Sequence, residues 1–112
     1  MPDSDQSLRL EHILDAIAKI ERYTAGLTFE TFAADEKTID AVLRNLEIIG
    51  EAARNVPENV QEQHPEIPWD KMRDIRNVLI HEYFGISLSI IWETIKHDLP
   101  PLVMPLRGLL QE

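Results

Sequence analysis

Residues 76–83 read RNVLIHEY and place an arginine, an amide, a histidine and a phenol within about two turns of helix. The aliphatic residues at positions 78–80 are interleaved with them and indicate a helix that packs into a core. An arginine near a histidine suits phosphodiester chemistry, since histidine moves protons near neutral pH and arginine holds phosphoryl groups in a planar fork. The rest of the chain is interpreted as the scaffold for this segment.

Spacing predicts one helix over residues 68–83, with a proline in a position that favours helix starts. Arg76 and Tyr83 are seven residues apart and share a face of this helix, whereas Asn77 and His81 share another. Arg76 and His81 are five residues apart, about 140° around the axis, so they do not superimpose. Either the long arginine bends round, or two copies of the helix meet at a symmetry axis.

Plainer interpretations of the same residues stay open. An arginine and a histidine on one helix can be a surface pair or a satisfied interior pair, and Tyr83 can be simple packing. Glu47 and Glu51, four residues apart on a polar stripe, are expected to form a solvated face. No metal site is expected, because the other histidines are scattered through three segments: His12, His64 and His97.

The composition favours one soluble helical domain spanning residues 1–112. Apolar residues make up 44% of the chain, no run of about 18 apolar residues exists, and there is no cysteine. The acidic first five residues do not resemble a signal peptide, so a cytoplasmic protein with no membrane association is expected. The net charge of -9 counts against casual nucleic-acid binding. RNA contacts would need a local cluster of basic side chains, and a partial one is formed by Lys71, Arg73 and Arg76.

Helical periodicity elsewhere predicts an all-α, antiparallel bundle of four to five helices. Gly50 lies inside a predicted helix, and the expected compensation for its low helix propensity is the close approach of another helix. Tyr23 is placed on the apolar stripe of the first helix. The predicted segments are helices over 4 or 7 to 25, 35 or 38 to 55, 68–83 and from 87 onward, a short helical turn over 58–63, and a resumed helix over 102–110 after a proline pair. Residues 27–32 are expected to be a connector that places three apolar side chains on the core: Leu27, Phe29 and Phe32.

Caps and core positions are also predicted. Asp35 or Thr38 is expected to cap the second long helix, and Ser87 to cap the last helix. The third long helix is expected to end at Gly85 and to bury a stripe formed by Met72, Ile75 and Leu79. On its other side, Asn77 is placed to hydrogen-bond His81 and to fix the orientation of its ring.

Longer blocks of the chain resemble the HepT-like toxins of the HEPN superfamily, the partner half of HEPN/MNT toxin–antitoxin modules. The blocks are LRNLEIIGEAA at 43–53, PEIPW at 65–69, MRDIRN at 72–77 and HEYFG at 81–85. The family signature is an arginine, four residues, a histidine, one residue and a tyrosine. It is intact here as Arg76, His81 and Tyr83.

The resemblance implies a homodimer that forms through the motif helix and a metal-independent endoribonuclease without cofactor. Arg76 and His81 of both protomers would line a cleft at the interface and cleave RNA, either tRNA or mRNA. Asn77, Arg73 and Lys71 would support catalysis or contact the RNA.

The resemblance also implies a partner, a nucleotidyltransferase antitoxin of the MNT type. That enzyme would attach AMP to Tyr83, whose adenylate phosphate would then occupy the RNA position and pair with Arg76. Inhibition by binding alone is a second possibility. The rival interpretation of the whole chain is a non-catalytic HEPN module that binds nucleotides or proteins, in keeping with its acidic charge.

Overall fold

The structure, a computed structural model, describes the backbone of residues 4–83 and 87–111 and the side chains of residues 5–79 and 87–111. Three long helices dominate, and the middle one packs against both others, so the all-α bundle is confirmed. The helices are α1 (Ser4–Thr24), α2 (Phe29–Ala33), α3 (Glu36–Arg54), α4 (Glu58–Gln63), α5 (Trp69–Tyr83), α6 (Leu88–Glu93) and α7 (Val103–Leu110). A π-helical turn (Thr94–Asp98) and a 3₁₀ turn (Pro100–Leu102) join α6 to α7. Within the described ranges, no helix is long and apolar enough to cross a membrane.

Helix α1 buries one stripe of side chains against α3, and Gly26 follows its end with a φ of 77°. Glycine adopts this left-handed conformation without steric cost, which explains the predicted stop. The placement of Tyr23 on the apolar stripe is wrong, because its side chain is 37% exposed. Thr24 takes the buried position instead, where its hydroxyl donates a hydrogen bond to the carbonyl of Ile20 at 2.8 Å.

Helix α2 replaces the connector expected after α1. Thr28 and Thr31 form a capping box, in which each side-chain oxygen accepts a hydrogen bond from the other residue's backbone N–H. Phe32 is fully buried as expected, with its ring 5.0 Å from the ring of Trp92. Five residues are too few for a periodic apolar pattern, so the sequence predicts the buried ring but not the helix.

Helix α3 begins at the expected cap. The Asp35 carboxylate accepts hydrogen bonds from the backbone N–H of Thr38 at 3.1 Å and from its hydroxyl at 2.6 Å. These bonds hold the pKa of Asp35 below its ordinary value. The α3 side chains at Val42, Leu46 and Ile49 are fully buried between α1 and α5.

Helices α4 and α5 are joined by side-chain hydrogen bonds. The Trp69 indole N–H donates to the carbonyl of His64 at 3.0 Å, and Arg73 donates through Nη1 to Oε1 of Gln61 at 2.9 Å. Met72 and Ile75 are buried on the face of α5 that was predicted to be core. The short helix α4 and the long helix α5 therefore confirm the predictions for residues 58–63 and 68–83.

Prolines decide where the helical structure of the C-terminal segment is interrupted. Ser87 caps α6 as predicted, accepting from the backbone N–H of Ile90 at 3.3 Å. The helix then widens into the π turn, whose closing bond runs from the N–H of Leu99 to the carbonyl of Thr94 at 3.1 Å. Two prolines lack donors and interrupt the helix, as predicted, and α7 resumes at Val103. Gly85, the expected stop of α5, lies outside the described residues.

Candidate active site

Arg76 lies on the exposed side of α5 at the point where this helix crosses α3. It lines a cavity of about 120 Å³ together with three charged residues of α3: Glu47, Glu51 and Arg54. Leu46, Gly50 and Leu79 form the apolar remainder of the lining. The arginine of the motif therefore meets charged groups from a second helix.

Gly50 explains why Arg76 lies so close to α3. A Cβ atom at Gly50 would be 3.6 Å from the backbone oxygen of Met72 and 3.8 Å from the backbone nitrogen of Arg76. The predicted close approach is confirmed. Both distances are ordinary van der Waals contacts, so the crossing point leaves room for a methyl group but not for a large side chain.

The carboxylates of this cavity pair with arginines of their own helix. Glu47 lies 3.5 Å from the Arg44 guanidinium, and Glu51 lies 3.9 Å from that of Arg54, with all four side chains more than half exposed. Glu47 and Glu51 are thus solvated, as expected, but they also line the cavity of Arg76. The signal that could have revealed this is their position beside Gly50, which marks the side of α3 that faces α5.

The supporting residues of the predicted site lie in different surroundings. Arg73 is held by Gln61 and forms an ion pair with Asp70, and it lines a broad cavity against α4. Lys71 and Asn77 are exposed. Arg54 lines both the Arg73 cavity and the Arg76 cavity, so it lies between these two arginine side chains. Sequence reasoning did not single out Arg54.

His81 and Tyr83 belong to the same continuous helix as Arg76, so the angular separation predicted from their spacing applies to the backbone. Their side chains lie outside the described residues, as does the proposed contact between Asn77 and His81. In the part of the chain that the structure describes, the site presents an exposed guanidinium group where two helices cross, next to further arginines.

Another cavity lies on a different side of α5 and is not lined by Arg76. It has a volume of about 480 Å³ and is lined by α5, the π turn and the proline-rich turn, through residues such as Met72, Val78, His97 and Leu102. Among the described residues, no group of three or more His, Asp or Glu side chains is arranged to hold a metal ion.

Comparison with known proteins identifies the class to which this fold and site belong. The family model described as "Ribonuclease HepT-like" matches residues 13–107, and the chain belongs to that family. No solved structure matches the chain.

Several relatives match over most of their length. A probable ribonuclease HepT of Thermococcus cleftensis is 50% identical over 93 residues, covering 83% of this chain and 84% of the relative. A candidate RNase of Caldanaerobacter subterraneus subsp. tengcongensis is 42% identical over 103 residues, 92% of each chain. A candidate RNase of Methanocaldococcus jannaschii is 38% identical over 112 residues, 100% of this chain and 93% of its own.

Proposed function

We propose that this protein is the toxin of a toxin–antitoxin module, an endoribonuclease that cleaves cytoplasmic mRNA or tRNA without a metal ion. The observation that carries the proposal is the ribonuclease HepT-like match over residues 13–107. Arg76, His81 and Tyr83 lie within this range, and their spacing is the one implied by the resemblance to HepT-like toxins. The position of Arg76, exposed at a crossing of two helices, supports a role in binding a phosphoryl group.

Cleavage would proceed by attack of an RNA 2′-hydroxyl on the adjacent phosphorus. A new P–O2′ bond forms, the P–O5′ bond breaks, and the products are a 2′,3′-cyclic phosphate and a 5′-hydroxyl. His81 takes the proton from the 2′-hydroxyl, and a protonated histidine side chain gives a proton to the leaving 5′-oxygen. Arg76 stabilises the charge that develops on the non-bridging oxygens. DNA lacks the 2′-hydroxyl and is not cleaved by this route.

The proposed site is completed by a second copy of the chain. The backbone positions of Arg76 and His81 lie about 140° apart around one helix. A twofold axis beside α5 would allow the arginine of one protomer to meet the histidine of the other, and would double the local positive charge. In this arrangement Asn77 orients His81 or contacts phosphate, and Lys71 and Arg73 extend the phosphate contacts.

Tyr83 is the proposed point of control by a nucleotidyltransferase antitoxin. The phenol oxygen would attack the α-phosphorus of ATP, lose its proton and release pyrophosphate, leaving AMP on the tyrosine. Tyr83 is seven residues from Arg76 and therefore shares its helix face. A phosphodiester there would pair with the guanidinium and exclude RNA.

The cleavage test uses purified protein and RNA in EDTA. Arg76→Ala and His81→Ala should each lower the cleavage rate by about 10²–10⁴-fold, the usual contribution of such groups. Arg107→Ala and His97→Ala are matched controls, since both residues are exposed and neither lines the Arg76 cavity. Full cleavage by either motif variant would refute the site assignment. Absence of cleavage by the unmodified wild-type protein would favour the non-catalytic binding module.

Mixing the two inactive variants tests the composite site. If Arg76 of one protomer works with His81 of the other, a heterodimer of Arg76→Ala and His81→Ala retains one intact site and regains activity. If each protomer works alone, the mixture stays inactive. Co-expression with the nucleotidyltransferase should add the mass of one AMP to Tyr83, and neutralisation of an unmodified tyrosine would show inhibition by binding alone.

A further inference from the structure

The arginines of this acidic protein are unevenly distributed. The chain carries a net charge of -9, and Arg9, Arg44, Arg54 and Arg76 nevertheless line two neighbouring cavities on either side of α3. We call these four residues the arginine band. They come from three different helices, so only the tertiary fold brings them together.

The two cavities meet along the exposed ridge of α3. The Arg76 cavity lies between α3 and α5, and a second cavity of about 220 Å³ lies between α3 and α1, where Arg9, His12 and Arg44 line it. Glu47 and Glu51 line both cavities. A ligand that touches Arg76 can therefore continue over the ridge to Arg9 without leaving the band.

The charge of the band is positive despite its two carboxylates. Glu47 is paired with Arg44 and Glu51 with Arg54, at 3.5 Å and 3.9 Å. These ion pairs can hold the guanidinium groups of Arg44 and Arg54 in place on the exposed side of α3. Arg9 and Arg76 then remain as positive charges that the two carboxylates do not neutralise. The band therefore presents two guanidinium groups to a polyanion, although Glu36 and Asp40 line an adjoining cavity together with Arg44.

The band has the chemistry of a phosphate track rather than of a protein interface. Arginine is enriched at protein interfaces as well as at phosphate sites, but the centre of a protein interface also carries aromatic side chains or methionine. The exposed large hydrophobic residues of the described chain line neither cavity of the band: Leu8, Tyr23, Ile90 and Met104. Arg44 and Arg54 are ten residues apart on α3, about 15 Å along the helix axis, so an extended phosphate backbone could contact both.

We propose that the arginine band is a sequence-independent track for the backbone of single-stranded RNA, which enters over Arg9 and Arg44 and reaches the motif at Arg76. The proposal rests on the proposed ribonuclease function and extends its substrate site onto α1 and α3. Because its guanidinium groups would contact the phosphates and not the base edges, the band contributes affinity and direction but no sequence preference.

The test measures binding of the wild-type protein and of Arg9→Ala/Arg44→Ala to a twelve-nucleotide 2′-O-methyl RNA, which cannot be cleaved through its 2′ position. The double variant should bind about fivefold to tenfold more weakly near physiological salt. The slope of log affinity against log salt should fall by about 1.4, since each lost phosphate contact on a single strand contributes about 0.7. The losses should be equal for uridine and adenosine oligomers.

Two further variants keep the test decisive. Arg22→Ala/Arg107→Ala changes the net charge identically at arginines that line neither cavity of the band, and should leave the salt slope unchanged. Arg9→Lys/Arg44→Lys retains the charge and should keep most of the slope, which separates lost contacts from misfolding. Unchanged slope and affinity in the alanine double variant would overturn the track.

The remaining outcomes also discriminate. Unchanged RNA binding combined with dissociation of a dimer would overturn the track by showing that the band is an interface between protein chains. Absence of RNA cleavage by the wild-type protein would refute the proposed function, whereas the salt slope of the uncleavable probe still reports on the band. The two proposals therefore fail in separate measurements.

Discussion

Gly50→Ala is expected to stabilise this protein, although the glycine lies where α3 packs closely against α5. Inside a helix, alanine is favoured over glycine by about 1 kcal/mol because it restricts the unfolded chain. The added Cβ would lie 3.6 Å from the backbone oxygen of Met72 and 3.8 Å from the backbone nitrogen of Arg76. Neither distance requires a backbone shift, so the full propensity gain should appear, about 4 °C in melting temperature for a chain of this size.

Gly108→Ala is the matched control for the packing contribution. Gly108 lies in α7, and a Cβ there would meet no atom within 4 Å, so this change reports helix propensity alone. Gly50→Leu is the opposite control, because atoms beyond Cβ have no space between the two backbones. It should cost about 1–3 kcal/mol from overpacking and should displace Arg76 from its cavity.

Urea unfolding measured by circular dichroism gives the free energy of each variant, and the RNA cleavage rate reports on Arg76. Gly50→Ala should be more stable and equally active, and Gly50→Leu should lose both properties. A destabilised Gly50→Ala beside a stabilised Gly108→Ala would refute the reasoning, since α3 and α5 would then lie closer than the distances given above.

Three other changes test the scaffold. Asp35→Ala should destabilise α3, and Asp35→Asn should keep the cap. The folded state lowers the pKa of Asp35, so the ionised carboxylate stabilises the fold above the unfolded pKa. This contribution is lost as pH falls through the folded pKa, below about pH 4. Urea melts from pH 2 to 7 should show this loss in the wild type and a smaller one in Asp35→Asn, and parallel curves would contradict it. Leu46→Ala removes a fully buried side chain and should cost about 2–5 kcal/mol in the same melts, with a cost near zero counting against the core assignment. Gln61→Ala and Arg73→Ala should couple by roughly 0.5–1.5 kcal/mol in a double-mutant cycle, because their hydrogen bond links α4 to α5, and additive effects would contradict that link.

Local sequence chemistry determined the positions of the long helices and most of their ends. Asp35 and Ser87 cap helices, and Gly26 ends one, because their side chains or their backbone freedom act within three or four residues of the chain. The apolar stripe of α3 was readable for the same reason, since helical spacing brings its residues to one face without help from the rest of the fold. The motif residues Arg76, His81 and Tyr83 are a prediction from their residue types and from the resemblance of the blocks around them to HepT-like toxins.

The surroundings of those residues depended on the tertiary structure. Nothing within a few residues of Arg76 indicates that Glu51 and Arg54 line its cavity, because they belong to another helix brought close at Gly50. Packing at the end of α1 likewise decided that Thr24 is buried and that Tyr23 is not.

The sequence by itself determined which long helices form and which side chains are candidates for the chemistry, because both follow from short-range geometry and residue type. The packing of α1, α3 and α5 decided where the positive charge collects. The arginine band exists only because distant parts of the chain bury their apolar faces against one another, and burial is a property of the whole fold.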